Sequence, residues 1–259
     1  KSMSLSLLLA ILATALFAYM SVWFFLARTV KRIDVIDSAW GLGFIYVALI
    51  GLFSQAPMPA AARGAAILTG IWGLRLTVHI TKRNMKRSED PRYAAYRKKW
   101  GDQFWVMTFL KIYMVQGLLI LLVSTPVIAI VNSPRHAWNL LIWLGFAIWI
   151  FGIVFEAVAD TQLKRFLAAH KEKGIMQSGL WRYSRHPNYF GEITTWVGAA
   201  LVAGGLGRWW GLIGPAVIAY VITQISGLPP LEKRYAHDKD YQAYARRTSV
   251  LIPRPPHHD

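Results

Sequence analysis

Seven mostly apolar stretches run through this chain, at residues 5–27, 39–56, 64–80, 103–131, 137–158, 190–207 and 209–228. A helix needs about 20 such residues to cross about 30 Å of hydrocarbon. In that solvent every backbone N–H and C=O must be satisfied within the protein, as a helix does for itself. Runs of this length read as transmembrane helices, and the expected fold is an all-α polytopic membrane protein of about seven transmembrane helices. With 55% of residues hydrophobic and only 16% charged, the composition excludes an ordinary soluble domain. The first stretch exceeds the 7–15 residues of a signal-peptide core and reads as a retained anchor. The third and sixth are short and carry polar residues, and Pro126 predicts a kink in the long fourth.

The formal net charge of +16 invites a nucleic-acid reading, which the distribution of the charge removes. Assigned to alternate sides of the seven stretches, 23 of the 29 basic residues fall on one side and four (Lys1, Arg63, Arg135 and Arg208) on the other. The positive-inside rule then puts the N-terminus outside and the C-terminus in the cytoplasm. All 13 acidic residues are also on the inner side or at inner ends of spans. Three long polar segments, 81–102, 159–189 and 229–259, therefore put any chemistry on the cytoplasmic face. No linker divides the chain, which reads as one domain over 1–259. There is no cysteine, no H-E-x-x-H and no Gly-rich nucleotide motif after a strand, so no metal site and no Rossmann domain are expected.

Ionisable groups within spans cost several kcal/mol unless paired or hydrated, which makes Arg75, His79, Glu156 and Glu192 functional candidates. Lys111 is read as a snorkelling side chain. Arg75 and His79 share a helical face with Trp72, and Glu156 lies one turn before Asp160. At the entrance to the second stretch stand Asp34, Asp37 and Trp40. The two acids either cap that helix or, desolvated at the mouth of an apolar cavity, stay protonated and donate to a substrate oxygen. The densest cluster holds Arg182, Tyr183, Arg185, His186, Asn188, Tyr189 and Glu192, just ahead of the sixth stretch. Guanidinium forks suit phosphates, and aromatic faces with amides suit nucleobases or nicotinamide. Two segments echo one another, Tyr93-Ala-Ala-Tyr96-Arg97-Lys98 and Tyr241-Gln-Ala-Tyr244-Ala-Arg246-Arg247. Each fits either an interfacial amphipathic helix or one wall of an anion pocket.

In Arg182-Tyr-Ser-Arg-His-Pro-Asn-Tyr-Phe-Gly-Glu192, then Glu232-Lys-Arg-Tyr235, then Tyr241 to Pro253, the chain resembles the steroid 5-alpha-reductase superfamily, and within it the bacterial DUF1295 branch. The Arg-His-Pro-x-Tyr signature is shared with isoprenylcysteine carboxyl methyltransferases. The resemblance implies a multi-pass reductase of the bacterial inner membrane with NADPH in a cytoplasm-facing cavity. Residues 1–131 would then form the substrate side and 137–259 the cofactor side. Asn188 and Glu192 would hold the nicotinamide end, Asp160 the nucleotide, and Arg182, Tyr183, Arg185 and His186 its phosphates or base. Arg234, Tyr235, Arg246 and Arg247 would complete the cage, with Asp34, Trp40, Trp72 and Glu156 toward the substrate. Steroid reductases carry a Gln-Glu pair where this chain reads Asp37-Ser-Ala-Trp40, and a ketone-polarising tyrosine where it reads Trp72.

The expected activity is NADPH-dependent reduction of an enone C=C bond in a hydrophobic lipid, with Asp37, Arg75 or His79 stabilising the enolate oxygen. The rival is methyl transfer from S-adenosylmethionine, which offers no phosphate for the arginines. A transporter would show inverted repeats and broken helices, and neither is visible.

Overall fold

A computed structural model of the chain describes residues 3–54, 58–85, 88–89, 91–134, 137–170 and 174–256. Lys1 and Arg135, two of the four basic residues assigned to the exterior, lie outside them. The described residues form helices joined by turns, without a strand. Five segments are long and apolar enough to cross a membrane: Leu5–Val30, Val35–Phe53, Tyr93–Val123, Leu140–Ala169 and Trp209–Tyr235. The stretches at 64–80 and 190–207 are helical too, but fall outside that group of five, in keeping with their polar content.

The chain divides into two compact units, the first comprising Lys1–Ala137 and Leu206–Ile213 and the second Trp138–Gly205 and Gly214–Asp259. In the first unit, α1 (Leu5–Val30) starts where the Ser4 hydroxyl accepts the Leu7 N–H and ends at Lys31, whose φ of 57° turns the chain. Its 26 residues span about 39 Å. α2 (Val35–Phe53) packs on α3 (Ala60–Asn84) through facing Gly41 and Gly73, where a Cβ on either would strike the other's carbonyl oxygen. α4 (Pro91–Trp100) is a short basic helix on which Tyr96 stacks against Trp100. A single turn leads into α5 (Phe104–Thr108), a π-helical stretch at Phe109–Tyr113, and α6 (Met114–Val123). The helix is interrupted at Ser124, and α7 (Thr125–Val131) begins with Pro126 in its first turn, as Pro126 predicted. Lys111 sits exposed within the π-helical stretch.

The second unit is organised by α8 (Leu140–Ala169) and α9 (Pro187–Gly205). The Asn139 side chain caps α8 by accepting the Ile142 N–H, and its amide donates to Gly205 O at 2.7 Å. Pro187, which has no N–H to satisfy, opens α9, and the His186 carbonyl accepts the Phe190 N–H. Glycines seven apart line the contact, Gly145 and Gly152 on α8 and Gly191, Gly198 and Gly205 on α9. A Cβ on Gly191 would lie 2.6 Å from Glu156 N, and one on Gly145 2.6 Å from Val202 N. The backbones thus touch, the small-residue packing by which helices associate in lipid. The unit continues through α10 (Ile213–Tyr220), a π-helical stretch at Val221–Ser226, α11 (Leu228–Tyr235) and α12 (Lys239–Arg247).

Replacing Gly198 by Leu should separate α8 and α9 and cost about 1–3 kcal/mol from overpacking. A Cβ on Gly70 of α3 meets nothing within 4 Å, so Gly70→Ala should be neutral or stabilising by up to about 1 kcal/mol. Thermal melts of the two variants in detergent check the contrast.

Candidate functional site

In the first unit the turn from α1 to α2 carries the acidic candidates, and side chains from residues 84–113 hold its backbone. Arg97 donates to Lys31 O at 3.1 Å, the Ile33 N–H donates to Glu89 Oε1 at 2.7 Å, and the Tyr113 hydroxyl donates to Ile33 O at 3.2 Å. Asn84 donates through Nδ2 to Asp34 O and to Asp37 Oδ2, both at 3.3 Å. Asp34 occupies the N-cap position of α2 but makes no capping hydrogen bond. Its buried carboxylate instead receives Arg32 through two bonds, Nε to Oδ1 at 3.0 Å and Nη2 to Oδ2 at 2.6 Å. Capping is therefore not its role; it anchors Arg32, which also donates to Asn84 O.

Further along α2, the Trp40 indole N–H donates to Gln116 Oε1. Phe44 joins Trp40 to Trp72 edge-on, with centroids 5.6 and 5.3 Å apart, so the two tryptophans belong to one aromatic ladder. Trp72 is fully enclosed, while Arg75 and His79 on the same helix are half-buried. Thr81 donates to the Ser38 hydroxyl at 2.8 Å, adding a polar tie between α2 and α3 beside Asp37.

In the second unit the Arg182–His186 loop is built by the C-terminal segments. The Arg185 N–H donates to Ser249 O at 2.8 Å, the Arg254 N–H to Tyr183 O at 2.9 Å, and the Ser184 hydroxyl to Leu251 O at 2.7 Å. The Tyr244 hydroxyl donates to Trp181 O, and the Trp181 indole to Ala159 O at 3.0 Å, which fastens the loop to α8. At its centre lies Glu232. Arg185 Nη1 donates to its Oε2 at 2.6 Å, while His186 Nε2–H at 2.8 Å and the Tyr241 hydroxyl at 2.5 Å both donate to Oε1. Tyr241 in turn stacks on Tyr235, centroids 5.3 Å apart, and Arg234 lies over the Tyr235 ring at 5.6 Å.

Arg185 and His186, both singled out in the sequence, are thus brought together on a carboxylate that the sequence reading did not assign to the site. Its signal was the lone acid in Glu232-Lys-Arg-Tyr235. Asp160 and Glu192 are half-buried on α8 and α9, and Glu156 is buried. Arg182, Arg234, Arg246 and Arg247 are exposed; Arg247 donates to Gln177 Oε1 at 2.9 Å. Two polar atoms, Arg185 Nε in the loop and Asn188 Oδ1 in the first turn of α9, are buried and find no partner among the described residues.

Burial pushes His186 below the ordinary histidine value, with the Arg185 cation assisting and the hydrogen bond to Glu232 opposing. Burial and the bond to Glu232 push the Tyr241 phenol up, so it stays a neutral donor. A histidine with a lowered folded pKa contributes stability above its unfolded value of about 6.5, and that stability is lost as pH falls through the folded pKa. The thermal midpoint in detergent should therefore be flat above pH 7 and fall below about 6.5. His186→Gln keeps a donor for Glu232 and should flatten this part of the profile.

The chain matches the family model described as "Protein of unknown function (DUF1295)" over residues 23–248. It is 30% identical to rat (Rattus norvegicus) 3-oxo-5-alpha-steroid 4-dehydrogenase 1 over 111 residues, 42% of this chain and 40% of the relative. An uncharacterized protein of Schizosaccharomyces pombe is 25% identical over 75% of this chain and 65% of its own length. A very-long-chain enoyl-CoA reductase of Dictyostelium discoideum is 32% identical over 29% of this chain and 26% of the relative. The chain thus spans from about a quarter to just under two thirds of these relatives' lengths. No solved structure matches it. With 23–248 of its 259 residues covered by one family model, the chain belongs to the DUF1295 family.

Proposed function

We propose that this protein is a membrane-embedded, NADPH-dependent reductase of an activated C=C bond in a hydrophobic, enone-like lipid. The observation that carries the reading is the segment from Arg182 to Glu192, where a buried guanidinium Nε–H and a buried amide oxygen lack partners among the described residues, in a unit that also exposes Arg182, Arg234, Arg246 and Arg247. Nucleotides ask for that donor set: cations for phosphates, an acceptor for a carboxamide N–H and aromatic rings for flat faces. The partial likeness to a steroid dehydrogenase and an enoyl-CoA reductase supports the reaction class.

In this reading Asn188 and Glu192 hold the carboxamide end of the cofactor, and Asp160 contacts the nucleotide. Arg182, Arg185, Arg234, Arg246 and Arg247 hold its phosphates, lined by Tyr183, His186 and Tyr235. When bound, NADPH supplies a hydride to the carbon beta to the carbonyl. Asp37 is one candidate donor to the carbonyl oxygen, Asp34 being committed to Arg32. Arg75 and His79 on α3 are the other donors. Trp40, Trp72 and Glu156 are assigned to the substrate in the same reading, which has the chain cross a bacterial inner membrane seven times with its N-terminus outside and its C-terminus in the cytoplasm.

Thermal stabilisation of the detergent-purified protein by NADPH, NADH and S-adenosylmethionine tests the reading, since a ligand at 100 times its Kd adds about 2.7 kcal/mol. The expected result is stabilisation by NADPH, abolished in Arg246→Ala; stabilisation by S-adenosylmethionine alone would establish the methyltransferase instead. Asp37→Asn should lower enone reduction about 100-fold while leaving NADPH affinity unchanged. An unchanged rate in that variant would remove Asp37 from the proton-donor role.

A further inference from the structure

The four-membered cluster around Glu232 has a stereochemistry that its role as an ion pair does not use up. A guanidinium offers a side-on edge, made by Nε–H and the neighbouring Nη2, that accepts an oxyanion through two parallel hydrogen bonds. The remaining nitrogen, Nη1, lies on the Cδ side and does not belong to that edge. Glu232 takes Arg185 at Nη1. The side-on edge is thereby not engaged by Glu232, and its Nε is a buried donor with no acceptor among the described residues. A buried donor left unmatched costs about 1–3 kcal/mol, so such an atom calls for an acceptor.

Glu232 is itself held from two further directions. His186 and Tyr241 both donate to Oε1, which fixes the rotation of the carboxylate and leaves Oε2 for Arg185. The Arg185 side chain is only 14% exposed, and its guanidinium carbon lies 6.0 Å from the Tyr241 ring centroid. Its backbone is pinned as well, by the bond from its N–H to Ser249 O. The guanidinium is therefore set at both ends.

We infer that Glu232 is a positioning residue, which turns Arg185 so that its Nε/Nη2 edge receives a phosphate of the nucleotide. This rests on the nucleotide reading above and adds to it the group recognised and the residue that orients the receptor. Glu232 touches no ligand; it acts through Arg185, with His186 and Tyr241 as its braces. Lysine at 185 would keep the charge and the partnership with Glu232, yet it lacks the two-pronged edge.

The test uses full-length protein in detergent, with NADPH binding followed by fluorescence and inorganic pyrophosphate as a competing probe. Arg185→Lys should weaken NADPH at least about tenfold and abolish competition by pyrophosphate, while the melting temperature of the ligand-free protein stays near that of the parent. Glu232→Gln, which keeps one acceptor oxygen but cannot serve all three donors, should show the same selective loss. If the Gln variant fails to fold, Arg185→Lys decides alone. Parent-like binding of NADPH and pyrophosphate by Arg185→Lys would overturn the inference and leave the reductase reading intact. So would a Glu232→Gln protein that is destabilised but binds both normally, because Glu232 would then be structural only. A parent protein that binds S-adenosylmethionine and not NADPH would overturn both.

Discussion

The close approach of α8 and α9 is the constraint on which the second unit depends. In hydrocarbon no solvent-driven force presses helices together, so their association rests on contact area, and backbones that touch gain the most. The glycines seven apart permit that contact along the length of both helices. Gly191 packs on the backbone of Glu156, and Glu192 follows directly in the chain, so the seam fixes where the ionisable residues near the helix ends stand. A methyl group in this seam would move candidate site residues that it does not touch.

On this scaffold the loop is organised by charge satisfaction. One carboxylate serves an arginine and a histidine of the loop and a tyrosine of α12, joining two segments distant in the chain. The first unit uses the same device differently: Glu89 receives both a backbone N–H of the α1–α2 turn and the Arg97 side chain, and Asn84 spans Asp34 and Asp37. In both units an exposed polar segment supplies the partners for a short turn at a helix entrance. Such turns cannot satisfy their own backbone groups, and water is a poor substitute close to the bilayer.

What the sequence made legible follows the range of the interactions concerned. The apolar runs depend on composition over some twenty residues, and helices stand at each of them. The interruption at Ser124 was readable because proline lacks an N–H and collides with the preceding turn. The π-helical stretches at Phe109–Tyr113 and Val221–Ser226 were not, since one extra residue in a turn changes no apolar period that a short window can detect. Arg185 and His186 stood out as dense local chemistry. Glu232 did not, because its partners are 46 and 47 positions away and an acid beside Lys233 and Arg234 looks like a local charge pair. The glycine spacing was open to view, but spacing alone does not say which helix a seam meets.

The bonds from Ser249, Leu251 and Arg254 to the Arg182–His186 loop also carry a consequence in time. The loop leaves the ribosome more than sixty residues before the strap that satisfies its backbone. At about 5–20 residues per second, the loop waits for seconds beside a bilayer already receiving its helices, with the Arg185 N–H and the Ser184 hydroxyl bonded only to water. The Arg182–His186 loop can therefore take up its final arrangement only once residues 249–254 have emerged. Synthesis order itself keeps a half-inserted chain from presenting the finished loop.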